Sequence, residues 1–370
     1  MPEVTVIGAG PVGLLLAAQL HRRGVAVELL EQREQAGPGS RAIGVHPPVL
    51  AALEDAGLTA ELLEHALRVE RGEARSQGRL LGTVRFDQLH TRFPFVATLP
   101  QPATEAILAR AAPAPSRGVG VHAIHLTSSE VRLETCSGQR RSPLVVLAGG
   151  ARSRHLVYRS PEGRNYPDRY LMSDAPVPES AASRTAVVHL DSTGVLESFP
   201  LPGNQRRFVT WDAPGASPDP EHRRIRMGQA LKGRAEATIG EVTGFGVRRY
   251  VAPRLRNDRV FVIGDAAHEV SPIGGQGLNL GLLDAVTLAP LLAAWVRTGE
   301  SPEADLRQWE RRRIHSASRA AALAELNTRL GRPAGAAAHA ARRQGVRMML
   351  GPGSGRFFAH AYAMGLDLHA

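Results

Sequence analysis

Val4-Thr5-Val6-Ile7-Gly8-Ala9-Gly10-Pro11-Val12-Gly13-Leu14-Leu15-Leu16-Ala17-Ala18 decides the fold. Four apolar residues run straight into three glycines spaced G-x-G-x-x-G, and an apolar run with helical character follows to Gly24. Strand, tight turn and buried helix is the reading. Val25 to Leu30 then forms a second apolar strand that ends on Glu31, about 20 residues beyond the glycines, where a dinucleotide-binding unit places its ribose acid. The first glycine permits the sharp turn, the second lets backbone approach a pyrophosphate, and the third lets helix pack on strand. Amides at the helix start then face the phosphates. Gly8, Gly10, Pro11, Val12 and Gly13 are therefore candidates for the phosphate turn, and Glu31, Gln32 and Arg33 for the adenosine end. NAD and FAD both fit this motif.

Working outward, 370 residues suffice for about two domains with a sizeable core. Hydrophobic residues at 43% and charged residues at 22% exclude disorder, collagen and a plain coiled coil. Cys136 is the only cysteine, so an internal disulfide or a thiol-held metal is ruled out, and a reducing, cytoplasmic setting is the expectation. No apolar run approaches the roughly 18 residues of a membrane span, and the opening MPEVTVIGAG is not a secretory leader. The net charge of +10 hints at nucleic acid, yet all but one of the 45 basic residues are Arg, the exception being Lys232. Residues 301–370 carry 11 Arg against five acids. An Arg-rich outer helix face is usually solvated, with peripheral membrane contact the weaker reading. No nucleic-acid-binding signature is present, and no histidine spacing suggests a metal.

A second motif lies far away. Val260-Phe261-Val262-Ile263 leads into Gly264-Asp265-Ala266-Ala267-His268-Glu269-Val270-Ser271-Pro272-Ile273-Gly274-Gly275-Gln276-Gly277-Leu278-Asn279. An acid at a strand end can hold a polyol hydroxyl, and a glycine cluster opening a helix aims backbone donors at an electron-rich group. With this motif the chain resembles the FAD-dependent aromatic hydroxylase family, the single-component class A flavoprotein monooxygenases. The resemblance implies Gly264 and Asp265 at the ribityl chain. It implies backbone at Gly274, Gly275, Gln276, Gly277, Leu278 and Asn279 at the flavin pyrimidine edge, and Pro272 beside the reactive position. Pro272, Gly277, Leu278 and Asn279 are the residues it would make catalytic, by environment rather than by nucleophilic chemistry. Arg41 and Gln101, the latter in Pro100-Gln101-Pro102-Ala103-Thr104-Glu105, resemble further FAD contacts. One position departs: Gly149 in Leu147-Ala148-Gly149-Gly150-Ala151-Arg152-Ser153 stands where the family carries aspartate, leaving Arg152 and Arg154 as candidates for phosphate. His268 is read as structural.

The expected fold class is α/β: a Rossmann-like FAD-binding domain with an inserted α+β substrate domain built on an antiparallel sheet, and C-terminal helices. The FAD-binding domain is assigned to 1–64, 99–157 and 257–300. Residues 158–256 form the substrate domain, with edge strands from 65–98, because Thr185 to Leu190, Val195 to Phe199 and Arg207 to Trp211 alternate. Residues 301–370 read as helices broken near Gly331 and Gly351. Pocket candidates on the substrate sheet are Tyr166, Tyr170, His189, Phe199 and Trp211. The resemblance implies hydroxylation of a small aromatic or polyketide-like substrate by O2 through a flavin C4a-hydroperoxide, with NADPH or NADH as reductant. A halogenase is set aside for want of WxWxIP and a suitably placed lysine. An FAD-dependent dehydrogenase or reductase, and a non-catalytic FAD-binding protein that sequesters an intermediate, remain as alternatives.

Overall fold

Val4–Ile7 is apolar and buried on both faces because strands flank it on either side: it pairs in parallel with Leu144–Leu147 and with Val27–Glu31. These are the central strands of a six-stranded sheet ordered Arg256–Asn257, Val260–Val262, Leu144–Leu147, Val4–Ile7, Val27–Glu31, Ser116–Arg117. Only Arg256–Asn257 runs antiparallel to its neighbour. The geometry comes from a computed structural model that describes residues 1–35, 37, 42–159, 161, 163–179 and 183–364. Helices Pro11–Arg22, Gln101–Ala111 and Gly277–Thr298 share one apolar core with this sheet, so three remote stretches of chain meet in a single core.

Gly277–Thr298 corrects one expectation. By length and composition it is apolar enough to cross a membrane, and 61% of its most apolar window lies buried inside the fold. It packs between the Pro11–Arg22 helix and the helix Glu303–Leu330, which explains an apolar surface all round.

The second large sheet has eight strands in the order His268–Glu269, Thr243–Val251, Arg164–Pro176, Gln205–Asp212, Gly194–Leu201, Thr185–Asp191, Arg71–Ser76, Arg79–Arg85. All its pairings are antiparallel except that of Thr185–Asp191 with Arg71–Ser76. The contribution expected from 65–98 is thus confined to 71–85. Leu67–Val69 and Val96–Thr98 pair instead with Gly44–Val45 in a small separate sheet. A three-stranded meander, Val121–Leu126, Val131–Thr135 and Gly138–Ser142, occupies part of 99–157.

The C-terminal helices Glu303–Leu330, Ala336–Met349 and Gly355–Tyr362 break where Gly331 and Gly351 forecast. They are not merely a solvated Arg-rich face. Arg313 is 2% exposed, and Arg342 donates to the carbonyls of Leu330, Arg332 and Asp191, tying the middle helix to the eight-stranded sheet.

Candidate active site

One cavity of about 980 Å³ runs from the first glycine turn, past the end of the parallel sheet, to the inner face of the eight-stranded sheet. Gly8, Gly10, Pro11 and Val12 line its outer end together with Glu31, Gln32 and Arg33. Gly8 has φ +107°, and a side-chain carbon there would lie 2.7 Å from the Ala148 carbonyl oxygen. Gly13 does not line the cavity; its close packing under the Gly8 carbonyl fixes the turn. Glu31 accepts from the Ala9 amide at 2.9 Å and from the Arg33 amide at 2.9 Å, and pairs with the Arg33 guanidinium at 3.0 Å. Burial opposes its ionisation, but the bonds from Arg33 and the two amides outweigh it and hold the carboxyl below its usual range. Arg41 lies outside the described residues.

Asp265 sits exposed on the cavity wall in a short 3-10 turn at the end of Val260–Val262. Beneath it Arg154, 5% exposed, donates to the Asp265 and Ala266 carbonyls at 2.5 and 3.3 Å, and pairs with Glu269 at 2.9 Å. Arg154 therefore shapes the aspartate loop and is not a phosphate ligand; Arg152, exposed on the cavity wall, keeps that role open. Gly264 points away from the cavity, its amide donating to Asp284 at 3.0 Å. Asp284 also receives His268 at 2.6 Å and Arg313 at 2.7 Å, all three fully or nearly fully buried. His268 is structural, as read.

Gly274 and Gly275 take φ +101° and +69°, a left-handed run that favours glycine. With Pro272, Gly277 and Leu278 they line the cavity beside the start of Gly277–Thr298. The first helical amide bond runs from Leu280 to the Gln276 carbonyl, so the amides of 277–279 have no intrahelical acceptor. Two side chains of this stretch, on which the expectation of backbone donors was silent, turn away from the cavity. Asn279, wholly buried, accepts from the His46 amide at 2.8 Å and donates to the carbonyls of Gly44 at 2.8 Å and Gly275 at 3.2 Å. It staples the turn rather than facing the cavity. Gln276 turns outward to the Ala361 carbonyl at 2.9 Å. Burial pushes His46, on the cavity wall, down to about 4, so it is neutral at pH 7.

Gln101 lines the cavity and donates to Glu105 at 2.6 Å. The Gly149-Gly150 turn lines it as well, and a side-chain carbon on Gly149 would meet Ser153 Oγ at 2.8 Å.

The inner end is walled by the sheet face and closed by the C-terminal helices. Of the five residues picked by type, only Phe199 lines the cavity. Tyr170 is core, Trp211 donates to Asp168, and Tyr166 and His189 lie outside the lining. Missed were Met172, Glu197, Phe245, Asn327, Leu350 and Tyr362, which do line it. The Tyr362 hydroxyl donates to Asn327 at 2.8 Å; burial, then the nearby Glu197 charge, pushes that hydroxyl up to about 12. Among the described residues no group of three or more His, Cys, Asp or Glu could hold a metal.

The residues fit a bound flavin dinucleotide. A positive-φ cradle, an acid-ended strand, an aspartate loop and unpartnered helix amides follow one another along a single cavity. A family model described as an FAD binding domain matches residues 1–324. The chain is 35% identical over 322 residues to 6-methylpretetramide 4-monooxygenase of Streptomyces rimosus, covering 80% of this chain and 56% of that protein. It is 32% identical over 319 residues to rifampicin monooxygenase of Streptomyces venezuelae, covering 82% and 66%. The chain thus spans under two thirds of the length of these relatives. In fold it superposes on p-nitrophenol 4-monooxygenase of Pseudomonas putida DLL-E4 with a TM-score of 0.89, at 24% identity over 98% of both chains.

Proposed function

From the premise that this chain belongs to the FAD-dependent aromatic hydroxylase family, we propose that it is an FAD-dependent monooxygenase placing one oxygen atom of O2 on a small aromatic or polyketide-like substrate, with NADH or NADPH as reductant. A cytoplasmic setting is part of this reading. The observation that carries it is the continuity of the cavity: the dinucleotide cradle opens directly onto an apolar chamber. FAD, when bound, supplies the redox chemistry and the activation of O2.

The chain's own residues supply the surroundings. Gly8 and Gly10 would seat the pyrophosphate against the start of Pro11–Arg22, Glu31 the ribose, and Asp265 the ribityl hydroxyls. The amides of 277–279 would meet the electron-rich edge of the flavin with dipoles fixed in advance. Val195, Phe199, Val209, Phe245 and Leu350 keep the inner chamber apolar, and Tyr362, bonded to Asn327, stands on its wall.

Turnover under isotope-labelled O2, read by mass spectrometry of the product, should show one labelled oxygen atom; label drawn from water instead would remove the monooxygenase reading. Gly149 motivates the contrasting possibility of a non-catalytic FAD carrier. Rapid-mixing spectra with NADH and NADPH separate the two, since a carrier leaves its flavin oxidised with either nucleotide. Asp265→Ala should weaken FAD retention by roughly 1–3 kcal/mol, the cost of losing one hydrogen-bonding group that the bound cofactor would cover. Titration of the apoprotein by flavin fluorescence checks this, and unchanged affinity would move the ribityl chain elsewhere.

A further inference from the structure

Val195, Glu197 and Phe199 alternate along Gly194–Leu201, and all three line the cavity, so Glu197 stands on the inner sheet face between two apolar neighbours. Across the strands its register partners are Val188 and Val209, both also on the cavity wall. Glu197 is 4% exposed, and among the described residues its carboxyl has no hydrogen bond or ion pair. An acid held this way costs stability, and replacing it with an apolar residue should not. A cost without a structural return marks a site whose partner arrives with the ligand.

The surroundings narrow that partner. The titratable groups that feel Glu197 are Tyr170 on Arg164–Pro176 and Tyr362 on the last helix, and the cation on the neighbouring strand is Arg207, two residues from its register partner Val209. Arg207 pairs with Asp174 at 2.6 Å, and among the described residues no cation forms an ion pair with Glu197. Tyr362 in turn holds Asn327, whose amide nitrogen would be 3.0 Å from a side-chain carbon on Gly274. Glu197, Tyr362, Asn327, Gly274 and Gly275 all line the one cavity, which puts Glu197 on the wall of the chamber that the Gly274-Gly275 turn opens onto. An anionic ligand would be repelled there; a neutral hydroxyl on an apolar ring is matched.

Resting on the aromatic-substrate reading above, we propose that Glu197 is the catalytic acid–base residue of this chamber, its carboxylate accepting the proton of a ring hydroxyl on the substrate. The substrate O–H bond breaks and a Glu197 O–H bond forms. The electron pair stays on the substrate oxygen and enriches the ring toward electrophilic oxygen, and the proton passes to water when product leaves. Burial holds the Glu197 carboxyl up at about 8, near the working pH where a general base is most effective.

The test uses the FAD-loaded full chain and two probes of one shape, β-naphthol and naphthalene, with Glu197→Leu and Glu197→Gln beside the wild type. The wild type should bind β-naphthol at least about tenfold more tightly than naphthalene, with the preference changing between about pH 6 and about pH 9 as the carboxyl titrates. Glu197→Leu should fold with an unreduced Tm and lose the preference. Glu197→Gln should keep part of it with no pH dependence in that range. A preference and pH profile shared by all three proteins overturns the assignment to Glu197 alone. Failure of the wild type to bind either probe overturns the aromatic reading and this proposal together.

Discussion

Gly13→Ala is expected to yield protein that no longer retains FAD, with affinity reduced at least about 100-fold, or about 2.8 kcal/mol. The added methyl would sit 1.9 Å from the Gly8 carbonyl oxygen, a backbone atom that cannot swing aside. Gly8 has no room to retreat, because its own position at φ +107° is wedged against Ala148 and Gly149, where a side-chain carbon would find neighbours at 2.7 Å. The start of Pro11–Arg22 must therefore shift, and the amides that face the phosphates shift with it. Overpacking of this kind also costs about 1–3 kcal/mol of stability. Gly10→Ala separates the two effects. Gly10 has φ −77° and ψ 179°, open to any residue, and a side-chain carbon there meets nothing within 4 Å, yet Gly10 lines the cavity. Its Tm should match the wild type while FAD binding falls. Fluorescence titration of apoprotein with FAD, alongside thermal melts, reads both variants. Wild-type FAD affinity in Gly10→Ala would move the pyrophosphate away from this turn.

The contrast between these two glycines also marks how far the sequence could be read. The spacing of Gly8, Gly10 and Gly13 announced a turn because all its determinants are neighbours in the chain, and Glu31 lay one helix away. The Gly264 to Asn279 run was legible for the same reason, as a strand ending on an acid and a glycine cluster opening a helix, although the positive φ of Gly264, Gly274 and Gly275 was not part of that reading. Side-chain direction was not. Asn279 and Gln276 stand within three residues of cavity-lining glycines, yet Asn279 is spent on Gly44, His46 and Gly275 and Gln276 on Ala361. Those partners lie as far as 235 residues away, beyond any local pattern. The inner chamber was hardest. Pocket residues sought by aromatic type fell mostly on core positions, whereas Glu197 was visible only as one acid in Val195-Leu196-Glu197-Ser198-Phe199, where both faces of the strand are largely buried and alternation does not say which one meets the ligand. The C-terminal helices looked like solvated cover because 301–370 carries 11 Arg against five acids; within Arg311-Arg312-Arg313, helical phase turns the third inward while the first two stay exposed.

That inward turn carries the second large effect. Arg313→Met is expected to cost about 3–5 kcal/mol of unfolding free energy at neutral pH, as loss of one partner strands a buried charge. Asp284 is wholly buried; one oxygen takes the Arg313 guanidinium at 2.7 Å and the other takes His268 at 2.6 Å and the Gly264 amide at 3.0 Å. Burial opposes ionisation of Asp284, but the charges of His268 and Arg313 prevail and its pKa lies below the ordinary aspartate value. For a carboxyl lowered on folding, the stabilisation is complete above the unfolded pKa of about 3.9 and is lost as pH falls through the native value. Without Arg313 the native pKa must rise, so the variant's deficit should be widest at neutral pH and should narrow in acid as Asp284 takes up a proton. Arg313→Met combined with Asp284→Asn, which removes the stranded charge, should recover at least half of the loss. Because Asp284 holds the Gly264 amide next to Asp265, FAD binding should weaken in the single variant and improve in the double. Urea unfolding of all three proteins at neutral and mildly acidic pH tests the chain of reasoning. A deficit that stays constant or widens in acid would mean that the buried carboxylate is not what Arg313 neutralises.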